Sequence, residues 1–248
     1  MDFPMRINKY LAHKGFATRK GADALVEAGT VYVNDKRAVI GQQIAATDRV
    51  EIRNAPTQSF RYVLYNKPRG IITHSPESHE VDIVTKIAKD HGITGLFPIG
   101  RLDKDSEGLM LLTDDGRMTE RILSPDAEHE KEYEVTVDKK VTNSFLKQLS
   151  QGVRIERYLT KPAHAEATKN DDRVFHITLT EGKKHQVRRM CAALGYQVQS
   201  LKRIRIMHLE LKRLAPGQVY TLKKPEVYEL YNSLGLHTPK KHRKTTTK

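Results

Sequence analysis

The segment Phe97-Pro98-Ile99-Gly100-Arg101-Leu102-Asp103-Lys104-Asp105-Ser106-Glu107-Gly108-Leu109 is the densest concentration of reactive side chains in the sequence. Its carboxylates, Asp103, Asp105 and Glu107, alternate along the chain, and the apolar run Leu109-Met110-Leu111-Leu112 follows. One chemistry open to such a loop is calcium binding. Asp103, Asp105, Glu107, Gly108 and Asp114 occupy positions 1, 3, 5, 6 and 12 of an EF-hand frame. Pro98 and Gly100 spoil the entering helix, however, and the frame wants a bidentate Glu where this chain has Asp114. A second chemistry is glycosidic, with two of the carboxylates as acid and base. A third is nucleophilic. In an extended segment Arg101 and Asp103 point to one face while Leu102 points into the core. An adjacent guanidinium favours the ionised carboxylate that a nucleophile requires. An inert solvated loop is the bland alternative.

Other candidates lie further along the chain. From His185 onward, Val187, Met190, Cys191 and Leu194 form one apolar helical stripe. At about 100° per residue Arg188 borders that stripe and Arg189 faces nearly away from it. A bordering arginine can be partly desolvated and pair with a carboxylate on a sheet, whereas Arg189 suits phosphate or solvent. Tyr133 precedes Val135 and Val137, and taken alone it reads as a strand residue filling space. Cys191 is the lone cysteine, so no intramolecular disulfide and no multi-cysteine zinc site is expected, and its place on the stripe suggests a buried thiol. The histidines are scattered, with no metal-ligand spacing, so no metal is expected.

These residues need elements to hold them. Ile7, Tyr10 and Leu11, then Ala22, Leu25 and Val26, carry helical spacing on either side of a break at Gly15-Phe16-Ala17. Thr18 can cap the second helix and Gly29 can end it. Thr30 to Val33, the turn Asn34-Asp35, and Arg37 to Ile40 predict a hairpin. Beyond residue 60, strands are predicted over Arg61 to Tyr65, Tyr133 to Val137, Val174 to Leu179 and Gln197 to Leu201. Helices are predicted over Ile83 to Lys89, Met118 to Leu123, Ser144 to Leu149 and His185 to Leu194. Strands mixed with few helices imply an α+β fold around a mixed, largely antiparallel sheet. The domains expected are residues 1–53, a linker at 54–59, a larger domain at 60–236, and a basic disordered tail at 237–248.

The 248 residues carry 43 Lys plus Arg against 30 Asp plus Glu, a formal net charge of +13. Such an excess draws polyanions, which makes nucleic acid the first partner to consider. Arg6, Lys9, Lys14, Arg19 and Lys20 crowd the helical pair, and no acidic residue lies between Phe3 and Ala22. A single-sign stripe fits phosphate contact better than an ordinary solvated face. The start of the chain has no apolar leader and no stretch is long and apolar enough to span a membrane, so a cytoplasmic location is expected.

The same residues carry a resemblance. Arg6-Ile7-Asn8-Lys9-Tyr10-Leu11, Gly15, Thr18-Arg19-Lys20, Val26 to Val31 and Val33-Asn34 resemble an S4 (αL-type) RNA-binding domain, to about Arg53. Gly100-Arg101-Leu102-Asp103 with Asp105 to Leu109 resembles the catalytic motif of pseudouridine synthases of the RsuA type. Tyr65-Asn66-Lys67-Pro68-Arg69-Gly70 resembles that family's NKPxG segment, and Lys131 to Val135 the block that supplies an active-site tyrosine. Glu181 to Met190 resembles the block that supplies a basic residue, here Arg188. The resemblance implies catalytic Asp103, Tyr133 and Arg188, with substrate contacts from Arg101, Lys67, Leu102 and Arg189.

It also implies the reaction. A uridine is flipped from its RNA, and Asp103 attacks the sugar C1′, adds to the uracil C6 or helps form a glycal. The uracil then detaches, turns and rejoins through C5, an isomerisation that needs no cofactor. The S4 domain together with Gly100 to Ser106, His129 to Tyr133 and Arg205-Ile206-Met207 looks nearest the RluF-like branch, which modifies 23S ribosomal RNA. The partner implied is ribosomal RNA or a pre-ribosomal particle, with no membrane, no small-molecule cofactor, and the protein a monomer. The competing readings are a non-catalytic ribosome assembly factor on the same fold and a synthase acting on 16S ribosomal RNA.

Overall fold

The computed structural model describes residues 3–54, 59–74 and 80–236. The expected tail and most of the expected linker lie outside them. The chain divides into two compact units.

The first unit contains Met1–Phe60, Asp115–Met118 and the chain from Lys223. Its elements begin with β1 (Met5–Arg6), α1 (Ile7–His13), α2 (Arg19–Glu27) and β2 (Val31–Val33). They continue with β3 (Lys36–Arg37), β4 (Gln43–Ile44) and β5 (Val50–Ile52). Ile7, Leu11, Ala22 and Val26, the apolar faces of the two helices, pack on Val31, Val33 and Ile44. Burying each large aliphatic side chain contributes about 1.5–3 kcal/mol, which is what folds helices this short. Thr18 caps α2 by accepting the Gly21 N–H at 3.0 Å. Gly29, at φ +66°, then takes the chain out of α2.

The predicted hairpin is shorter than its sequence suggests. Its second strand stops at Arg37, because the Gln42 side chain accepts the Val39 N–H and turns the chain outward. Val39 and Ile40 are left exposed. At the other end of this unit Arg117 and Asp115 form a buried pair at 2.6 Å. Arg117 also donates to the Tyr231 hydroxyl at 2.8 Å and to the Gly15 carbonyl at 3.1 Å.

The second unit contains Arg61–Asp114 and Thr119–Leu222. It holds β6 (Tyr62–Lys67), α3 (Ile83–His91), β7 (Phe97–Ile99) and β8 (Glu107–Thr113). Next come α4 (Arg117–Leu123, of which Arg117 and Met118 cluster with the first unit), β9 (Lys131–Val137) and α5 (Asn143–Gln151). The remaining elements are β10 (Arg154–Ile155), β11 (Tyr158–Leu159), β12 (His164–Ala167), β13 (Val174–Leu179), α6 (Gln186–Ala193), β14 (Val198–Ile206), β15 (Leu209–Glu210) and β16 (Val219–Thr221). The closing helix α7 (Lys224–Ser233) clusters with the first unit. No helix of the described residues is long and apolar enough to cross a membrane.

One nine-stranded sheet runs β12-β13-β9-β14-β8-β6-β16, with β15 added to β14 and β7 to β8. Its pairings are antiparallel except for β14 with β8. The fold is therefore the α+β class anticipated. Ile83 and Ile87 of α3 pack on the β6–β8 half of the sheet. Phe145 and Leu149 of α5 and Val187, Met190 and Cys191 of α6 pack on the β9–β13 half. Two strands outrun their sequence signals. β6 continues to Lys67 with all six residues buried, and β14 reaches Ile206 because a bulge between Arg203 and Arg205 keeps it paired to β9.

Candidate active site

The loop from Gly100 to Ser106 bridges β7 and β8 and is held from below. The backbone N–H of Leu102 donates to the Thr73 hydroxyl, which donates back to the Leu102 carbonyl at 2.8 Å. Leu102 itself is buried in the core, as alternation along the segment predicts. The Lys104 carbonyl accepts the Gly70 N–H at 2.8 Å, and the Ser106 N–H donates to the Asp103 carbonyl. Where the loop enters β8, a Cβ on Gly108 would meet the Arg203 backbone oxygen at 2.3 Å, so only glycine lets β8 and β14 run side by side there.

Asp103 lines a cleft of about 630 Å³ that lies wholly in the second unit. Arg101, Leu102 and Tyr133 line it too, so the catalytic motif and the tyrosine block meet in one place. Tyr133 lies on β9 directly opposite Arg203 of β14, and Arg203 lies opposite Gly108 of β8. Gly108 in turn faces Lys67 of β6, so a single row across the sheet joins these strands.

The side chain against Asp103 differs from the one expected. His185 Nε2 stands 3.4 Å from Asp103 Oδ1, with both side chains roughly half exposed. Arg101 shares the cleft but is not ion-paired to Asp103 among the described residues. Arg188 reaches the same loop without touching the carboxylate. It donates to the Asp105 carbonyl at 3.3 Å and to the Val198 carbonyl at 3.2 Å. The reason is that α6 begins only at Gln186, and His185, at φ +52°, forms the turn that precedes it. The imidazole is thereby brought to the cleft and Arg188 is placed one helical turn deeper. Arg189 points away, as the stripe predicts, and pairs with the exposed Glu156 at 2.9 Å.

Lys67, expected to touch substrate, does not line the cleft. It is 0% exposed, and its ammonium donates to the carbonyls of Pro68 (2.9 Å), Ile71 (2.6 Å) and Lys104 (3.4 Å). Burial pushes its pKa down to about 8, although Asp103, Asp105 and Glu107 pull the other way. It supports the loop from underneath. Cys191 is buried, and burial pushes its thiol up to about 12, which leaves it unreactive.

Several cleft residues were not singled out by sequence. Glu181 is a buried acceptor for the Tyr158 hydroxyl, the Lys161 N–H (3.0 Å) and the Gln186 amide (2.6 Å). Lys131 and Arg203 also line the cleft. The signal available for Lys131 was its spacing of two from Tyr133, which puts both on one strand face. Glu181 opens the block that resembles the family's basic motif, and Arg203 carried no signal that one sequence could reveal. Among the described residues no group of three or more His, Cys, Asp or Glu side chains is arranged to hold a metal ion.

In the first unit Arg6, Lys9, Lys14, Arg19 and Lys20 are all exposed. Among the described residues none of them enters an ion pair, while Arg49 and Arg53 are neutralised by Asp35 and Glu51.

Comparison with known proteins matches residues 61–193 to the family model described as RNA pseudouridylate synthase, and residues 5–50 to the S4 domain model. The chain is 39% identical to the dual-specificity RNA pseudouridine synthase RluF of Escherichia coli K12 over 235 residues, covering 93% of this chain and 79% of that protein. It is 34% identical to the ribosomal large subunit pseudouridine synthase B of Bacillus subtilis, covering 91% of this chain and 95% of that protein. A crystal structure titled as a pseudouridylate synthase superposes with a TM-score of 0.64 at 32% identity, over 91% of this chain and 99% of that one.

Proposed function

The chain belongs to the RNA pseudouridylate synthase family, and from that premise we propose that it isomerises a uridine of 23S ribosomal RNA in the cleft around Asp103. That it is an RNA pseudouridine synthase follows from the family. The choice of RNA rests on the relatives named for the ribosomal large subunit and for RluF. We assign the substrate as the RNA or a pre-ribosomal particle, the protein as a monomer, and its place as the cytoplasm. Residues 5–50 supply placement on RNA through the basic stripe, whose phosphate contacts give affinity without reading sequence.

The observation that carries the site is the position of Asp103, half exposed in a cleft that Tyr133 shares, with the His185 imidazole 3.4 Å away. A cleft of about 630 Å³ falls in the range of roughly 300–1,000 Å³ common for small-ligand sites. A flipped uridine therefore fits without the duplex entering. The Tyr133 ring packs on the uracil, since stacking uses a π-face that every base has. Attack at C1′, addition at C6 and formation of a glycal all require a carboxylate oxygen free to meet the nucleoside. Thr73, Lys67 and Arg188 hold the loop so that Asp103 presents one.

The test is pseudouridine mapping of ribosomal RNA from cells lacking the protein, complemented with wild type or Asp103→Asn. The expected result is loss of a 23S site, restored by the first and not by the second, while Asp103→Asn still binds RNA. Restoration by Asp103→Asn overturns the site, and a loss confined to 16S RNA overturns the target.

A further inference from the structure

Lys131 and Arg203 both line the cleft that holds Asp103. Alternation along β9 puts Lys131 and Tyr133 on one face, and the β9–β14 register sets Arg203 directly opposite Tyr133. Arg203 is only 3% exposed, and it donates from Nε to the Leu109 carbonyl at 2.7 Å and from Nη2 to the Met110 sulfur at 2.8 Å. Lys131 Nζ donates to the His129 carbonyl at 2.8 Å. Among the described residues neither cation has a carboxylate partner. The acidic residues closest in sequence, Glu130 and Glu132, are both taken by Arg205. Burial, and then the charge of Arg203, make Lys131 give up its proton more easily than a free lysine.

A buried Arg203 and a part-buried Lys131, neither of them in an ion pair among the described residues, are costly to hold in a cleft, and such a pair favours an anion. A neutral uridine brings none into the base pocket. The reaction does, because the C1′–N1 bond must break whichever way Asp103 acts first.

We propose that Lys131 and Arg203 form an anion site beside Tyr133 that stabilises the uracil while it is detached from the sugar. The electron pair of the broken C1′–N1 bond leaves with the base and spreads over N1 and the two carbonyl oxygens. The two cations offset that charge from part-buried positions, where such interactions count for more than in open water. Where Asp103 has attacked C1′, its ester bond has taken the place of the C1′–N1 bond. When C5 bonds to C1′ with the pair the base carries, that ester bond breaks, the Asp103 carboxylate regains its charge and the ring is left neutral. The C5 proton is then lost and N1 gains one, so atoms and electrons balance with no co-reactant. The inference rests on reading this cleft as the uridine site, and it adds two catalytic residues to Asp103 and Tyr133.

The experiment compares single-turnover consumption of the target nucleotide at saturating RNA for wild type, Lys131→Met and Lys131→Arg. Each is measured with uridine and with 5-fluorouridine at the target. Fluorine withdraws electron density, so the detached base needs less help from the protein. With uridine, Lys131→Met should be slower by about a hundredfold, the usual order for removing one positioned charge, and Lys131→Arg should recover most of the rate. With 5-fluorouridine the Lys131→Met defect should shrink by about tenfold, a change that loss of fold or of RNA affinity would not produce. If Lys131→Met does not fold, Lys131→Gln carries the same comparison. A defect equal for both bases, or no defect at all, overturns the anion site. Asp103→Asn run alongside separates the two ideas, because only its retained turnover would displace the cleft itself.

Discussion

His185 Nε2 lies 3.4 Å from Asp103 Oδ1, and the backbone that places it there is left-handed at φ +52°. A non-glycine residue in that region costs of order 1 kcal/mol or more, and such strain gathers at functional sites. The imidazole reaches the carboxylate from the turn before α6, so it acts on Asp103 and not through the helix.

His185 should therefore hold the orientation of Asp103. His185→Gly keeps the backbone geometry and removes the ring, so its thermal stability should equal or exceed that of wild type. Its single-turnover rate at saturating RNA should fall by about tenfold or more, the scale on which a slightly misplaced reacting group loses rate. A full rate in this variant would make the contact incidental.

The two arginines of α6 separate by partner. Arg188→Met removes the donors to the Asp105 and Val198 carbonyls and loosens the loop. It should lower the chemical rate by about tenfold to a hundredfold, since small misplacements of a reacting group are costly. Arg189→Met loses an exposed pair with Glu156, worth about 0–1 kcal/mol, and a long contact to the Lys184 carbonyl at 3.5 Å. Its rate at saturating RNA should match wild type, with any loss of affinity hidden at high salt. Arg189→Met proving the slower enzyme would reverse the assignment.

Lys67 gives a pH signature of folding. Its pKa falls from 10.5 to about 8 on burial, so between those values the unfolded chain binds more protons than the folded one. Stability from this residue is therefore lowest below about pH 8 and rises toward pH 10.5. Denaturant unfolding at pH 7.5 and about pH 10 should show wild type gaining on Lys67→Met by on the order of a few kcal/mol. A difference that stays flat with pH would mean that the ammonium is not desolvated.

The stripe of Arg6, Lys9, Lys14, Arg19 and Lys20 should act through phosphates alone. Lys9→Glu with Arg19→Glu should weaken RNA binding and flatten its logarithmic salt slope by about one to two units. Turnover at saturating RNA should hold. An equal fall in turnover would mean that the stripe also serves the catalytic cleft.

The sequence alone determined a good part of this protein. The helical spacing of Ile7, Leu11, Ala22 and Val26 specified the small basic unit, because a short helix folds only where one apolar face is buried. The stripe of Val187, Met190 and Cys191 fixed which way Arg189 points, and the alternation around Leu102 fixed that residue in the core. The ordered motifs carried the reaction. Tertiary structure decided who meets whom. Lys67 sits in a motif that reads as substrate contact, yet β6 runs on through it and buries its ammonium under the loop. Arg188 was matched to Asp103 by its motif, but one residue in a left-handed turn gave that contact to His185. Tyr133 and Arg203 are neighbours only because β14 pairs with β9 in one register, with Gly108 letting β8 close on its other side. Local periodicity says which face of an element is apolar. Contacts between strands seventy residues apart depend on register, bulges and the direction of each turn, and none of these is written in the neighbourhood of either residue.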